Sequence, residues 1–192
     1  MKDIFTVIAG ILYMVGFVPY AVAIIRKRTR PSKASWIIWT LLDTITIAAM
    51  YAKDAVNGQI LGTVIGAWIV VFLAMKYGTP GWTQLDKLCL SGAVLGVVLW
   101  WVFNNPIVGM AISLCVVTVG SIPTFVSAWK NPENEDKLAW TIFTISCLFA
   151  LLAIPKLTFE DVVQPASFTT IELIMMYILF IHKPTVKPQS AT

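Results

Sequence analysis

Two stretches of the sequence share one register: residues 16–40, GFVPYAVAIIRKRTRPSKASWIIWT, and residues 120–144, GSIPTFVSAWKNPENEDKLAWTIFT. At an offset of 104 residues, and without a gap, residues of four different chemistries coincide. The matched pairs are Gly16 with Gly120, Pro19 with Pro123, Lys33 with Lys137 and Trp36 with Trp140. Chance agreement between two apolar segments rarely includes a glycine, a proline, a lysine and a tryptophan together. The register therefore predicts an internal repeat.

The composition indicates where this repeat resides. Of the 192 residues, 58% are apolar and 12% are charged, whereas a soluble domain carries about 25% charged residues. Such a chain cannot cover a water-facing surface, so an ordinary soluble enzyme is excluded and a lipid-facing exterior is expected. Apolar runs bounded by proline, glycine, asparagine and charge predict seven transmembrane helices. They cover residues 4–25, 35–52, 59–77, 88–103, 106–129, 138–154 and 162–181, with the fourth helix the shortest.

Lysine and arginine in the short loops predict the orientation. If the basic loop at residues 26–33 is cytoplasmic, eleven basic residues lie on its side, and only Lys2, Lys53 and Lys156 lie on the other. The N-terminus is therefore expected outside and the C-terminus inside. This loop also offers a contact for anionic membrane lipid, although topology alone explains its charge. The first helix lacks the cleavage site of a secretory signal and is expected to be retained.

The repeat offset makes helices one to three equivalent to helices five to seven. Because four helices separate equivalent elements, both copies point the same way, which predicts a parallel repeat about an axis along the membrane normal. The predicted fold class is an all-α membrane protein of two parallel three-helix bundles joined by a linker helix. Its parts are a first bundle at 1–80, the linker at 81–105, a second bundle at 106–182 and a disordered cytoplasmic tail at 183–192.

The two Gly-x-x-Pro segments and the loops that follow them resemble the PQ-loop and SWEET superfamily of small-solute transporters. That family has a three-plus-one-plus-three helix plan, with a Pro-Gln pair near the cytoplasmic end of the first helix of each bundle. Here the pairs read Pro-Tyr at Pro19 and Pro-Thr at Pro123, so the prolines match and the glutamines do not. Trp68 and Glu172 align with the asparagine of the sugar carriers, which argues against a sugar substrate. The resemblance implies alternating access between two bundles.

Two carboxyl groups lie in the middle of predicted spans: Asp43 in helix two and Glu172 in helix seven. A carboxylate at the bilayer centre costs about 2.5–3.5 kcal/mol on insertion scales, so both are expected to face the interior or a watery cavity. They lie in different bundles at similar depth, which predicts a substrate site between the bundles. Buried carboxyls can exchange protons near neutral pH, so proton coupling is a hypothesis. The alternative is two protonated carboxyls that only bond neighbouring helices.

Further candidates flank these carboxyls. Trp39 lies one turn before the first, and Trp68 is the repeat counterpart of the second, so both are candidates for the wall of a binding site. Thr40 and Thr144 are matched by the repeat, and their hydroxyls either contact substrate or bond back to their own helix. The tryptophans near the cytoplasmic boundary are assigned to an interfacial aromatic belt. These are Trp36, Trp129 and Trp140.

Pro19 and Pro123 each lie inside a predicted helix, where proline removes a backbone hydrogen bond and bends the helix. A bend of this kind is either purely structural or a hinge for alternating access. The resemblance favours the hinge. A seven-helix chain already contains both bundles, so it needs no second chain to form a pathway.

These features predict a membrane transporter of a small solute, with a non-transporting receptor or sorting protein on the same fold as the alternative. Short and nearly neutral outward loops favour the solute. No enzyme is expected, because no nucleophile with a base and no aspartyl-protease motif is present. No metal or cofactor is expected, since the only histidine is His182 and no Cys-x-x-Cys pair occurs. The net charge of +4 does not indicate nucleic acid. Compactness and the lack of targeting signals predict the bacterial cytoplasmic membrane.

Overall fold

The computed structural model describes residues 2–29, 31, 33–78, 80–130, 132 and 135–182. The predicted cytoplasmic tail at 183–192 lies outside the described residues. So does Arg30, one of the basic residues counted for the orientation. Within them all regular secondary structure is helical, as predicted. The helices are α1 (Lys2–Ile25), α2 (Lys33–Tyr51), α3 (Gly58–Tyr77), α4 (Gln84–Phe103), α5 (Pro106–Gly120), α6 (Ile122–Lys130), α7 (Lys137–Ala153) and α8 (Phe159–Phe180).

Six helical stretches among the described residues are long and apolar enough to cross a membrane, with α5 and α6 counted as one stretch. The remaining helix, α7, is apolar but has only 17 residues. The outward faces are apolar as well: Trp101 on α4 is 83% exposed, and Phe72 on α3 is 70% exposed. Apolar surface on this scale is stable only in contact with lipid. The chain is therefore built as an integral membrane protein.

The start of α4 differs from the sequence prediction. This helix has 20 residues and begins four residues before the predicted start at 88, so it is not the shortest span. Thr83 and Asp86 form a capping box in which the Thr83 hydroxyl accepts from the amide of Asp86, and the Asp86 carboxylate accepts from the amide of Thr83. These bonds satisfy amides that would otherwise lack partners in the first turn, so a polar sequence is helical here.

The predicted break between the fourth and fifth spans is present. Asn104 ends α4 in a left-handed conformation with φ of 47°, which asparagine tolerates better than most residues. The side chain of Asn105 then accepts a hydrogen bond from the amide of Ile107, and Pro106 occupies the first position of α5, where a missing amide proton costs nothing. The two helices pack against each other after this turn.

The predicted fifth helix is divided into α5 and α6 at Ser121. The Ser121 amide bonds to the carbonyls of both Val117 and Thr118, and its hydroxyl donates to the Val117 carbonyl at 2.9 Å. Pro123, the second residue of α6, has no amide proton to continue the ladder. In contrast, α1 runs without interruption through Pro19. The two matched prolines therefore lie in different backbone settings.

By their contacts the helices form two groups, with further contacts between the groups. Helix α3 packs against both α1 and α2, and α8 packs against α7 and against α5 and α6. Between these groups, α1 packs against α7 and α2 packs against α5, while α4 lies on the outside against α5 and α2. The approach of α1 to α3 is very close: a side chain added at Gly58 would collide with the carbonyl oxygen of Thr6. Small residues permit such backbone contact between membrane helices.

Candidate binding cavity

A cavity of about 610 Å³ extends from the α1–α2 loop into the middle of the helices. Exposed Lys27 and Arg28 line it at the loop. Asp43 and Glu172 line it at depth, near the middle of α2 and α8, and Thr63 lines it from the second turn of α3. Pockets that bind small organic molecules commonly measure roughly 300–1,000 Å³. The cavity therefore has room for a small solute and reaches the surface at the end that carries the basic loop.

The two carboxyl groups at depth are almost completely buried. Asp43 is 6% exposed and Glu172 is 3% exposed. The Tyr13 hydroxyl donates a hydrogen bond to Oε1 of Glu172 at 3.2 Å. Within the described part of the chain, Oε2 of Glu172 and Oδ1 of Asp43 have no hydrogen-bond partner. Buried polar atoms are normally paired, so the two carboxyl groups that line the cavity each retain an unsatisfied oxygen.

Helical periodicity brings aromatic side chains to the same cavity. On α2, Trp36 and Trp39 precede Asp43 by seven and four residues, so the three share one face. On α1, Tyr13 and Phe17 share another face by the same spacing. The facing helices α7 and α8 add more rings. The aromatic lining comprises Tyr13, Phe17, Tyr20, Trp36, Trp39, Phe125, Trp140, Phe143 and Phe168.

These rings form a connected wall. The centroids of Tyr13 and Phe143 are 4.6 Å apart, and those of Phe17 and Phe143 are 5.0 Å apart. Nearer the loop, Trp36 lies 5.4 Å from Tyr20 and 5.6 Å from Trp39. The separations and tilts are those of favourable aromatic contacts. The wall thus joins α1 and α2 to α7 across the cavity.

A polar contact borders the cavity at the α6–α7 loop. Trp140 donates from Nε1 to Oε2 of Glu135 at 3.1 Å, and both residues line the cavity. Burial raises the pKa of the Glu135 carboxyl, the hydrogen bond from Trp140 partly offsets this, and the negative charge of Asp136 adds to it. Glu135 therefore holds a proton more readily than an exposed glutamate does.

The opposite end of the molecule is closed by a chain of buried amides. Asn57 donates from Nδ2 to Oε1 of Gln164 at 2.8 Å, and Gln164 donates from Nε2 to Oε1 of Gln59 at 3.2 Å. Gln59 in turn donates to the Cys147 sulfur at 3.0 Å. Gln59, Gln164 and Cys147 are each 0% exposed. These bonds join the start of α3 to α7 and α8.

Two further contacts strengthen this closure. Lys2 Nζ donates to the carbonyl oxygens of Ile154 and Pro155, at 2.8 and 3.1 Å, in the α7–α8 loop. Deeper in the membrane, the Ser146 hydroxyl on α7 donates to the Ala9 carbonyl on α1 at 2.6 Å. The cavity thus has a mouth at one end, and its other end is held shut by hydrogen bonds between α1 and α3 on one side and α7 and α8 on the other.

No family model, curated protein or solved structure matches this chain. Within the described residues, no group of three or more histidine, cysteine, aspartate or glutamate side chains is placed to hold a metal ion. The cavity offers carboxyl groups, the hydroxyls of Tyr13 and Tyr20, aromatic rings and, at its mouth, basic side chains. Such a site can bind and orient a solute, and it can exchange protons at its carboxyl groups.

The structure brings together three of the predicted site residues, Asp43, Glu172 and Trp39. Trp68 lies elsewhere, 38% exposed on α3 with its ring 6.3 Å from that of Phe72. The reason is rotational: a side chain added at Gly66 would meet Phe17 of α1, and a residue two positions further points roughly 200° away from that contact.

The predicted threonines lie outside the cavity lining. Thr144 donates to the carbonyl of Trp140 at 2.8 Å, which is the bond back to its own helix that the sequence left as an alternative. Thr40 is 0% exposed, and its hydroxyl has no partner among the described residues. Both threonines thus pack inside the helix bundle rather than against a solute.

Sequence reasoning missed Tyr13 and assigned Trp36 and Trp140 to an interfacial belt. Both tryptophans are partly buried and line the cavity, whereas Trp129 is 46% exposed and stacks on His182 at 3.5 Å between centroids. One signal in the sequence separates them: Trp36 and Trp140 are matched by the repeat and Trp129 is not.

Two glycines contact aromatic rings across the cavity region. A side chain added at Gly16 on α1 would collide with the ring of Phe143 on α7. A side chain added at Gly120 on α5 would press on the ring of Trp39 on α2. Each glycine therefore leaves space for an aromatic ring from the helix that packs against its own.

Proposed function

We propose that this protein is a small-solute transporter that works by alternating access between two helix bundles. The observation that carries the proposal is the central cavity. It holds two buried carboxyl groups in mid-helix, reaches the surface at one end, and is closed at the other by hydrogen bonds between opposing helices. A solid structural bundle has no need of such a cavity, and buried carboxyls within a membrane usually mark a pathway for a solute or ion.

In this proposal the moving units are α1–α3 and α5–α8. The contacts between the two units support this division. A two-fold rotation that places one bundle on the other would turn the α1–α7 contact into the α2–α5 contact, and both contacts are present. The glycine contacts give more specific support. Gly16 contacts Phe143, and Gly120 contacts Trp39. Gly120 lies 104 residues after Gly16, and Phe143 lies 104 residues after Trp39, so the predicted repeat relates the two contacts. The resemblance to the PQ-loop and SWEET superfamily agrees with this plan.

The charge bias of the loops predicts the side of the membrane to which the cavity opens. With the basic α1–α2 loop in the cytoplasm, the cavity faces inward and the amide chain closes the outer side. Outward opening would then break the contacts of Gln164, Lys2 and Ser146 with the other bundle. Asp43 and Glu172 are the groups that would carry a coupled proton, since both line the cavity and each has a carboxylate oxygen without a partner among the described residues.

The test is flux through the purified full-length chain in proteoliposomes, with empty liposomes as the reference. A panel of labelled sugars, amino acids and organic amines is offered with and without a pH gradient. We expect at least one solute to move faster than in empty liposomes, and Asp43→Asn or Glu172→Gln to abolish that movement. Thr170→Ala, an exposed position on α8, is the matched control and should transport normally. Binding of a solute without any flux would indicate a receptor instead.

A further inference from the structure

The charges of the cavity are arranged by depth. The basic side chains of its lining, Lys27 and Arg28, lie at the α1–α2 loop and are exposed, and the carboxyl group of Glu135 lies at the α6–α7 loop. At depth the charged groups of the lining are the carboxyls Asp43 and Glu172. A carboxylate oxygen on each is buried without a partner among the described residues. The deep end therefore offers two hydrogen-bond acceptors and favours positive charge, while it disfavours an anion.

The wall between the mouth and this end is aromatic. Trp36, Trp39 and Phe143 belong to a set of ring contacts that spans α2, α1 and α7. Aromatic faces attract cations, and the attraction strengthens where water is excluded. Flat apolar molecules also bury surface well against such rings. The same wall thus suits both a cationic group and a planar body.

We propose that the cavity binds an organic ammonium ion with a flat apolar body. The ammonium group donates its N–H bonds to the carboxyl groups of Asp43 and Glu172, and the body lies among Trp36, Trp39 and Phe143. Because both acceptors need a donor, a primary or secondary ammonium fits better than a quaternary one. This inference rests on the proposed function in so far as the ligand would be the transported solute, but the cavity chemistry stands without transport.

The test compares three ligands that share one indole ring and differ in the charged end: tryptamine, its N,N,N-trimethyl derivative and indole-3-propionate. Binding to the purified full-length protein in detergent is measured by isothermal titration calorimetry, with ligand titrated into empty micelles as the blank. We expect tryptamine to bind most tightly, the trimethyl derivative at least about tenfold more weakly because it lacks N–H donors, and the propionate not measurably.

Variants locate the ammonium group. Asp43→Asn and Glu172→Gln should each weaken tryptamine binding at least about tenfold, because each replaces a charged acceptor with a neutral amide. They should affect the trimethyl derivative less, and Thr170→Ala should leave both ligands unchanged. Thermal unfolding of each variant checks folding. If a variant does not fold, the ligand series on the unaltered protein still decides the matter.

Equal binding of the propionate and tryptamine would overturn the inference, as would unchanged tryptamine binding in both folded carboxyl variants. The two proposals fail separately. If proteoliposomes transport a sugar or an anion while tryptamine does not bind, the transporter stands and the ammonium ligand is wrong. If tryptamine binds as expected while no amine crosses the membrane, the cavity chemistry stands and transport is wrong.

Discussion

Gln164 should control how often the closed end opens, because it is the middle member of the amide chain. Gln164→Leu keeps a similar size but removes the bond from Asn57 and the bond to Gln59. Hydrogen bonds between membrane helices contribute about 0.6 kcal/mol each, so two sum to about 1.2 kcal/mol. That energy shifts an equilibrium between closed and open states about eightfold. Oε1 of Gln59, buried and without its donor in the closed state of the variant, would add to the shift.

The chain carries its own reporter of this opening. Cys147 is buried and bonded to Gln59 in the closed end. With Cys89 and Cys115 replaced by serine, a membrane-impermeant maleimide reaches Cys147 only when the closed end opens. Labelling of intact vesicles from the side of the α2–α3 loop should therefore be about eightfold faster in Gln164→Leu than in the parent.

Thr170→Ala is the control for this experiment, since Thr170 lies on the same helix and its hydroxyl donates to the Ala166 carbonyl of that helix. Its labelling rate should equal that of the parent. An unchanged rate in a folded Gln164→Leu protein would show that the amide chain does not hold the closed end. Equal acceleration in both variants would show that loosening of α8, rather than opening between bundles, exposes the cysteine.

Four other outcomes are expected. Pro19→Ala restores a backbone bond in α1, so flux should fall while thermal stability does not, and unchanged flux would mark the bend as purely structural. Gly58→Ala should lower the free energy of unfolding by about 1–3 kcal/mol in denaturant titrations, because α1 and α3 must separate. Burial raises the pKa of Glu135, so folding favours its protonated form. The thermal stability of the parent relative to Glu135→Gln should therefore rise as the pH falls from neutral toward 4.5. A stability difference that stays constant with pH would refute this. Trp39→Leu should weaken tryptamine binding several-fold, whereas Trp68→Leu should not, as calorimetry would show.

Composition and hydropathy were sufficient to predict a chain of apolar helices, because each run that crosses a bilayer must be about as long as the bilayer is thick, and six stretches among the described residues are that long. The ends of the helices were predicted less well. The start of α4 was missed because Asp86 and Lys87 suggest a loop, whereas the carboxylate of Asp86 caps the helix. The division between α5 and α6 was missed because Pro19 and Pro123 have the same spacing from a glycine, and local sequence does not reveal which of them interrupts its helix.

The cavity was predicted in part. Asp43 and Glu172 were found because a charge in mid-membrane must avoid lipid, and Trp39 because it shares a helical face with Asp43. Trp68 was selected by its place in the repeat, but a repeat fixes the position along a helix and does not make an aromatic side chain face the solute. Tyr13 gave no signal, because a single tyrosine in an apolar helix resembles packing until its hydroxyl is seen beside Glu172.

The shortness of α7 has a consequence for the surrounding membrane. At about 1.5 Å per residue, its 17 residues span about 26 Å, less than the roughly 30 Å of a typical hydrocarbon core. Ile145, Leu148 and Leu152 make an exposed apolar stripe along this helix, so acyl chains meet α7 directly. Where a helix of this length crosses a bilayer, the bilayer thins beside it or flanking side chains reach toward the interface, at a cost of a fraction of a kcal/mol per ångström. In the proposed transport cycle, longer acyl chains would therefore raise this cost at the helix that carries Phe143 and Cys147, and lipid thickness would bias which end of the cavity opens.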